Sequence, residues 1–236
     1  MRAALLAEAP EALMDGLAAC PQAAIDRDLD LLEAALGGEA ARRVVRIWAN
    51  PRCVVLSRRL AARGSLGAVA DSLAGSGAAV AMRASGGTAV VHRPGVLNVS
   101  VVAVDAAPAS MVHAYTELTG LLSRALARLG IETQPGAAAG ACCDGDHNLL
   151  WRGRKLAGTA AVVRRRGGRT ARLVHASLTI WGDLRDDLAL VARAEACLTV
   201  RGDYVHGAHA TLAQAMAEVR GKRRHQVANP PRATFR

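Results

Sequence analysis

Aromatic side chains are scarce. One Phe, two Tyr and three Trp make up 3% of the 236 residues. Core volume must therefore come from Ala, Val and Leu. The aromatic interleaving that stacks single-stranded nucleic acid is missing, and no nucleic-acid partner is expected. No stretch approaches ~18 consecutive apolar residues, so no membrane-spanning helix is expected. The start, Met1 to Gly16, carries Glu8, Glu11 and Asp15 where a secretory leader has an uninterrupted apolar core, so no leader is expected. The five cysteines (Cys20, Cys53, Cys142, Cys143, Cys197) are odd in number and show no disulfide framework. Together these features point to a reducing cytoplasm. There is no Walker-type phosphate loop, no GxGxxG opening a helix, and no internal repeat.

What is present is an ordinary globular composition, 51% hydrophobic and 21% charged, with a net charge of +10. Half of that excess lies in Gly221–Arg236, where Lys222, Arg223, Arg224, Arg232 and Arg236 stand without an acid. A basic, flexible tail is expected over 221–236, following a single domain over 1–220. A second basic run is Arg164, Arg165, Arg166, Arg169 and Arg172. Such runs are commonly solvated surface. They also suit an acidic partner.

Residues 22–36 place Ile25, Leu29, Leu32 and Leu36 at helical spacing before Gly37-Gly38. Residues 44–48 and 53–57 read as strands about an Asn50-Pro51 turn, and a helix is expected near Leu66–Leu73. Strands follow at 78–83, 89–92 and 96–104. The clearest helix is 110–129, with Ser110 as N-cap and Gly130 as stop. Residues 135–147 read as a loop. A meander follows over 148–152, 155–165 and 170–180, and helices at 183–199 and 208–220 close the chain. This order implies an α+β fold: a mixed, largely antiparallel sheet flanked by helices.

Three segments carry possible chemistry. In Arg83–Asn98, Gly86-Gly87 interrupts two strands and lets backbone N–H groups face a ligand, although Gly-Gly more often just makes a turn. In Cys142–Ala160, Lys155 follows Cys143 by 12 residues across a hairpin turn at 152–154, which can return its ammonium towards a thiolate. The plain alternative is an inert buried cysteine and a surface lysine. Either Cys142 or Cys143 can fill the nucleophile's place, because loop register is not readable from sequence. A metal site of Cys142, Cys143, His147 and His175 is disfavoured, since adjacent cysteines rarely share one tetrahedral ion and no C-x-x-C partner exists. No metal is expected. The third segment, Leu173–Ile180, holds His175, by itself more often a core histidine than a catalytic one.

Together these segments resemble the lipoate–protein ligase and octanoyltransferase family, whose catalytic fold is shared with biotin–protein ligases. The pattern R-x-S-G-G-x-A-V-x-H with a following L-N appears as Arg83, Ser85, Gly86, Gly87, Ala89, Val90, His92, Leu97 and Asn98. The G-R-K-x-A-G-x-A pattern appears as Gly153, Arg154, Lys155, Ala157, Gly158, Thr159 and Ala160. Ala23 to Asp26 resembles M-A-x-D, and His175 an H-x-x-L strand. The likeness spans roughly 22–185. ATP-dependent members usually carry S-G-G-G, and this chain has Thr88 at the third glycine. Cys143-Asp144-Gly145 resembles the Cys-Pro-Gly loop of the cysteine-dependent octanoyl amidotransferase type, with Asp144 in place of the proline.

The resemblance implies a transferase of lipoate metabolism. It would pass an octanoyl or lipoyl group through a thioester on Cys143 to a lysine of a lipoyl-domain protein, with Lys155 as the partner of the sulfur. Arg83, Ser85, Gly86 and Gly87 would line the acyl tunnel and its mouth. His92, Asn98, Asn148, Gly158, Thr159 and His175 would complete the substrate site. The implied acceptor or donor is a lipoyl-domain or glycine-cleavage-H-type protein, with acyl carrier protein as another possible donor. No cofactor is required on this reading. ATP and Mg enter only if the chain is an ATP-dependent lipoate–protein ligase working through lipoyl-adenylate. The third and least favoured reading is a non-enzymatic basic binding protein. The chain is also short for the accessory C-terminal domain of many ligases.

Overall fold

A computed structural model describes residues 12–38, 43–105 and 110–228. In chain order the strands are β1 (Ala12–Leu17), β2 (Arg43–Ala49), β3 (Cys53–Ser57), β4 (Ala79–Arg83), β5 (Val90–His92), β6 (Val96–Asp105), β7 (Gln134–Gly136), β8 (Asn148–Trp151), β9 (Arg154–Arg166) and β10 (Arg169–Thr179). The helices are α1 (Pro21–Gly37), α2 (Arg58–Ala61), α3 (Leu66–Leu73), α4 (Met111–Ala127), α5 (Leu184–Ala196) and α6 (Leu212–Ala228), with a short 3-10 turn at His206–Ala208.

Two sheets form where one was expected. The larger has the order β1-β2-β6-β10-β9-β8-β7 and the smaller β4-β3-β5. Among the described strands, the pairs β1–β2 and β3–β4 are parallel and the other pairs are antiparallel. The meander turns follow from their glycines. Arg152-Gly153 and Gly167-Gly168 all take positive φ, as two-residue hairpin turns require.

Alternation along the strands assigns the layers. Val45, Ile47, Val99 and Val101 face α4 and α6, packing on Leu118, Leu122 and Ala215. Val44, Val102 and Leu173 point the other way, onto Leu31, Leu32 and Leu36 of α1. In the small sheet, Val54 and Leu56 pack with α5, while Cys53 and Val55 meet Ala24 and Ile25 of α1. Helix α1 therefore serves both sheets. A buried ion pair fixes it: Arg46 of β2 donates to Asp28 at 2.7 Å and to Asp15 at 2.7 Å, and Ser100 donates to Asp28 at 2.6 Å.

The caps follow the sequence signals. Ser110 accepts from the His113 amide, and Pro21 opens α1 while Gly38, at φ 86, ends it. Three elements are absent from the sequence-based expectation: the edge strand β1, the single turn α2, and β7 inside the expected loop. Helix α6 also runs through residue 220 to Ala228, so the backbone of 221–228 is helical where a flexible tail was expected. Gly221 is one isolated glycine at a cost of ~1 kcal/mol, and the Lys and Arg residues after it are good helix formers. Residues 229–236 of that expected tail lie outside the described residues, as does 1–11 of the expected leaderless start.

Candidate active site

The site forms where the two sheets meet, between the glycine segment after β4, the loop before β8, and the centres of β9 and β10. The order of the strands makes this junction. Ser177 pairs with Gly158 on one side and with Asn98 on the other, and His175 pairs with Ala160 and Ser100. The two-residue period puts His175 and Ser177 on one face of β10, towards the junction.

Cys143 sits at the centre in a left-handed conformation (φ 48), an uncommon state for a residue other than glycine and one that clusters at functional sites. The Thr88 amide donates to its Sγ at 3.3 Å. Gly87, at φ +95, lies so close that a Cβ there would come within 2.6 Å of Sγ and 2.8 Å of Arg83 Nη2. Arg83 is locked by the same segment, donating to Gly86 O at 2.9 Å and Thr88 O at 3.0 Å.

Lys155, at the start of β9, donates to the carbonyl of Cys143 at 3.0 Å and to that of Cys142. The ammonium thus holds the backbone of the cysteine loop as well as charging its surroundings. Asn148 donates to Cys143 O at 3.2 Å and accepts from the Thr159 amide at 3.2 Å, while Thr159 Oγ1 donates to His147 O at 2.8 Å. Gly158 leaves space for Lys155, whose Nζ would lie 3.2 Å from a Cβ there. Asp144, standing where the resembling loop has proline, accepts from the Ala138 amide at 2.7 Å and closes the loop by a hydrogen bond instead of a ring. Tyr115 of α4 stacks on His147 with centroids 4.4 Å apart.

The electrostatics separate the two cysteines. Burial pushes the Cys143 thiol up, but Arg83, Lys155 and the Thr88 amide together pull it below the usual thiol range. Burial dominates at Cys142, whose thiol is raised despite Lys155. The thiolate is the nucleophilic form, so the geometry selects Cys143.

His92 and Asn98 stand one layer back, hydrogen-bonded through Ser177 and not to Cys143 or Lys155. Ser177 donates to Asn98 Oδ1 at 2.7 Å, so its oxygen accepts from His92 Nε2–H at 3.0 Å, and His92 Nδ1 takes the Asn50 amide at 3.4 Å. Ser85 and His175 Nε2 are 2.7 Å apart. Burial, with Arg83 beside them, holds both His92 and His175 down at about 3, so both rings are neutral near pH 7. Gly86 faces open space. Every sequence-predicted site residue therefore lies at this junction, with His92 and Asn98 in its second layer.

Three clefts share walls here. One of about 290 Å3 is lined by Cys143, Arg83, Lys155 and His175. It adjoins, through Arg83 and His175, a cleft of about 340 Å3 walled by Ile25, Leu29, Trp48, Val55 and Leu173. Through Lys155 and Gly158 it adjoins another of about 540 Å3 lined by Val91, Val96, Leu188 and Val191. Sequence reasoning missed Glu195 and Tyr204, which support the glycine segment, and His209, whose Nε2 accepts from the Cys142 amide at 3.1 Å. None of these lies in a recognisable motif. Among the described residues no cluster of His, Cys, Asp or Glu is arranged to hold a metal ion, and no helix is long and apolar enough to cross a membrane.

The family model for the lipoyl protein ligase A/B catalytic domain matches residues 21–219. A relative from Kyrpidia tusciae named octanoyl-[GcvH]:protein N-octanoyltransferase is 38% identical over 115 residues, covering 49% of this chain and 40% of that one. A relative of the same name from Bacillus velezensis is 31% identical over 160 residues, covering 67% and 55%. The chain thus spans about half the length of the curated relatives it matches. In fold it is similar to a Thermoplasma acidophilum protein solved with bound lipoic acid, with a TM-score of 0.61 and 20% identity over 89% of this chain and 83% of that one. With the family model matching from helix α1 into α6, the chain belongs to the lipoyl protein ligase A/B catalytic domain family.

Proposed function

We propose that this protein is an enzyme that transfers an octanoyl or lipoyl group through a thioester on Cys143. The carrying observation is the state of that sulfur: Arg83, Lys155 and the Thr88 amide converge on it and favour the thiolate. An ATP-dependent ligase needs no such nucleophile. The named activity of the relatives supports the same reading.

In the first half-reaction the Cys143 thiolate attacks the acyl carbonyl of the donor. A C–S bond forms, the C–N bond of a donor lysine amide (or the C–S bond of a carrier thioester) breaks, and the leaving group takes a proton. In the second, the amine of an acceptor lysine attacks the thioester, loses a proton and releases the thiolate. This is covalent catalysis that divides one difficult transfer into two. Lys155 has three N–H donors, two of them held by loop carbonyls. On this reading the third stabilises the developing oxyanion, an effect typically worth ~3 kcal/mol. The cleft beyond Arg83 and His175 takes the acyl chain. Six methylenes and the terminal methyl of an octanoyl chain, at ~0.8 kcal/mol each, contribute about 5–6 kcal/mol of binding.

The partners on this reading are a glycine-cleavage-H-type protein or another lipoyl-domain protein, with acyl carrier protein as an additional donor candidate. No cofactor, ATP or Mg takes part. Intact-mass spectrometry after mixing with octanoyl-loaded H-type protein, without ATP, tests this. One octanoyl adduct, removed by hydroxylamine and absent in Cys143→Ala, is expected. No adduct from either donor, with transfer that instead needs free lipoate and ATP, would establish the ligase reading.

A further inference from the structure

Glu195, near the end of α5, is 0% exposed, and among the described residues it makes no ion pair. A buried carboxylate without a cation is costly, and its oxygens must be met by donors. One oxygen accepts from the Ala89 amide at 3.1 Å, and the other accepts from the Tyr204 hydroxyl. Ala89 follows Thr88, whose own amide points at Cys143 Sγ. These two adjacent amides have different partners, one the sulfur and one the carboxylate, at the end of the bend that leads into β5. Rotation of the peptides about Thr88 would swing both. The segment carrying Tyr204 also supports the cysteine loop directly, since the Val205 amide donates to Gly140 O at 2.8 Å.

We propose that Glu195 is a positioning residue for the nucleophile, its carboxylate holding the Ala89 amide from behind so that the Thr88 amide stays aimed at Cys143 Sγ. Tyr204 completes the clamp by orienting the carboxylate and tying the 199–206 segment to it. Neither residue touches the reacting atoms. The groups that face the sulfur are Arg83 from β4, Lys155 from β9, Tyr115 from α4 and the neighbouring Cys142.

The test is the pH profile of Cys143 alkylation by iodoacetamide, read residue by residue by mass spectrometry. Positioning and charge act in opposite directions here. Removing a nearby negative charge through space would lower the midpoint, whereas losing the aimed amide raises it. Glu195→Ala is expected to raise the midpoint by about one pH unit, a roughly tenfold slower reaction at neutral pH. Glu195→Gln keeps an acceptor for the Ala89 amide but removes the charge, so its midpoint is expected at or below the wild-type value, never above it. Tyr204→Phe removes the donor to Glu195 Oε2 but keeps the carboxylate on the Ala89 amide, and it is expected to shift the midpoint upward by less. An unchanged or lowered midpoint in Glu195→Ala would overturn the proposal. If that variant does not fold, no upward shift in Tyr204→Phe would do the same. The proposal rests on Cys143 as the nucleophile, and the wild-type protein tests that separately. If wild-type Cys143 reacts no faster than Cys142 below pH 8, the nucleophile reading fails. If it reacts selectively but the variants do not shift, only the role of Glu195 fails.

Discussion

The absent side chain of Gly87 is what admits the sulfur of Cys143. A Cβ on Gly87 would stand 2.6 Å from Cys143 Sγ and 2.8 Å from Arg83 Nη2, and the glycine is at φ +95, where other residues are strained. Its neighbour Gly86 lies outside the positive-φ region, and a Cβ added there would meet nothing within 4 Å. Two adjacent glycines thus differ sharply in what they tolerate. Gly87→Ala is expected to lower acyl transfer at least about 100-fold, the scale of a misplaced reacting group. Gly86→Ala should stay within a few-fold. Steady-state transfer assays on both variants check this, and equal losses would contradict the geometry.

Lys155 holds two loop carbonyls while lowering the thiol of Cys143. Lys155→Met keeps the length of the side chain and removes both effects. Transfer should fall about 10²–10³-fold, mainly in kcat, and alkylation of Cys143 at neutral pH should slow as well. Lys155→Arg is not expected to rescue activity, because Gly158 and Asn148 leave room shaped for an ammonium and not for a planar fork. Circular dichroism distinguishes a lost catalyst from a lost loop.

The two adjacent cysteines give a direct contrast. Cys143 is lowered by Arg83, Lys155 and Thr88 against its burial, and Cys142 is raised by burial. Thiolate and reactivity rise as pH climbs through the pKa, so Cys143 should react at a lower pH than Cys142. A limiting dose of iodoacetamide at about pH 7.5, below the ordinary thiol range, is expected to label Cys143 and spare Cys142. Peptide mapping reads the result, and preferential labelling of Cys142 would reverse the assignment.

How far the sequence reached depends on what kind of interaction each residue makes. Lys155 and Gly158 are placed by local strand pairing within the meander, which its turn glycines announce, whereas Arg83 and Gly87 come from the small sheet and its β4–β5 connection and were readable as motif residues, not from pairing. Helices α1 and α4 were readable from apolar periodicity and caps. Strand β1 was not: it lies on the sheet edge, is largely exposed, and so lacks the alternation that marks a half-buried strand. The division into two sheets was hidden because β3 pairs in parallel with β4, across the α2–α3 segment. Glu195 was invisible for another reason. An acid in an amphipathic helix reads as solvated surface, and only tertiary packing turns it towards Ala89. Similarly, Arg83 read as lining, yet its charge is the larger of the two cationic influences on the sulfur.

His92 and His175 link the site to acid stability. Both are held near 3 in the folded protein by burial and by Arg83, against an ordinary value of 6.5. Below pH 6.5 the unfolded chain binds these two protons and the folded chain does not, so stability falls as pH falls. At pH 5 each histidine contributes roughly 2 kcal/mol of destabilisation relative to pH 8. Urea midpoints should therefore drop steeply between about pH 6.5 and 4.5. His175→Asn should flatten that slope, since it removes one of the two titrations. A slope unchanged by the substitution would mean that His175 titrates near its ordinary value after all.

Arg93 and Asp187 form the tightest buried pair near the site, with bonds of 2.7 and 2.5 Å and side chains 7% and 12% exposed. Arg93 also donates to Trp181 O at 2.6 Å, so it joins the end of β5 to the turn leading into α5. Removing one partner leaves the other buried and uncompensated. Arg93→Met is expected to cost about 3–5 kcal/mol. Adding Asp187→Leu should recover part of this loss, because the stranded carboxylate is then gone as well. The recovery should be incomplete, since the bond from Arg93 to the Trp181 carbonyl is not restored. Thermal melts of the two single variants and the double variant measure the coupling. Additive losses would show that the pair is not the contact that holds this turn to the strand.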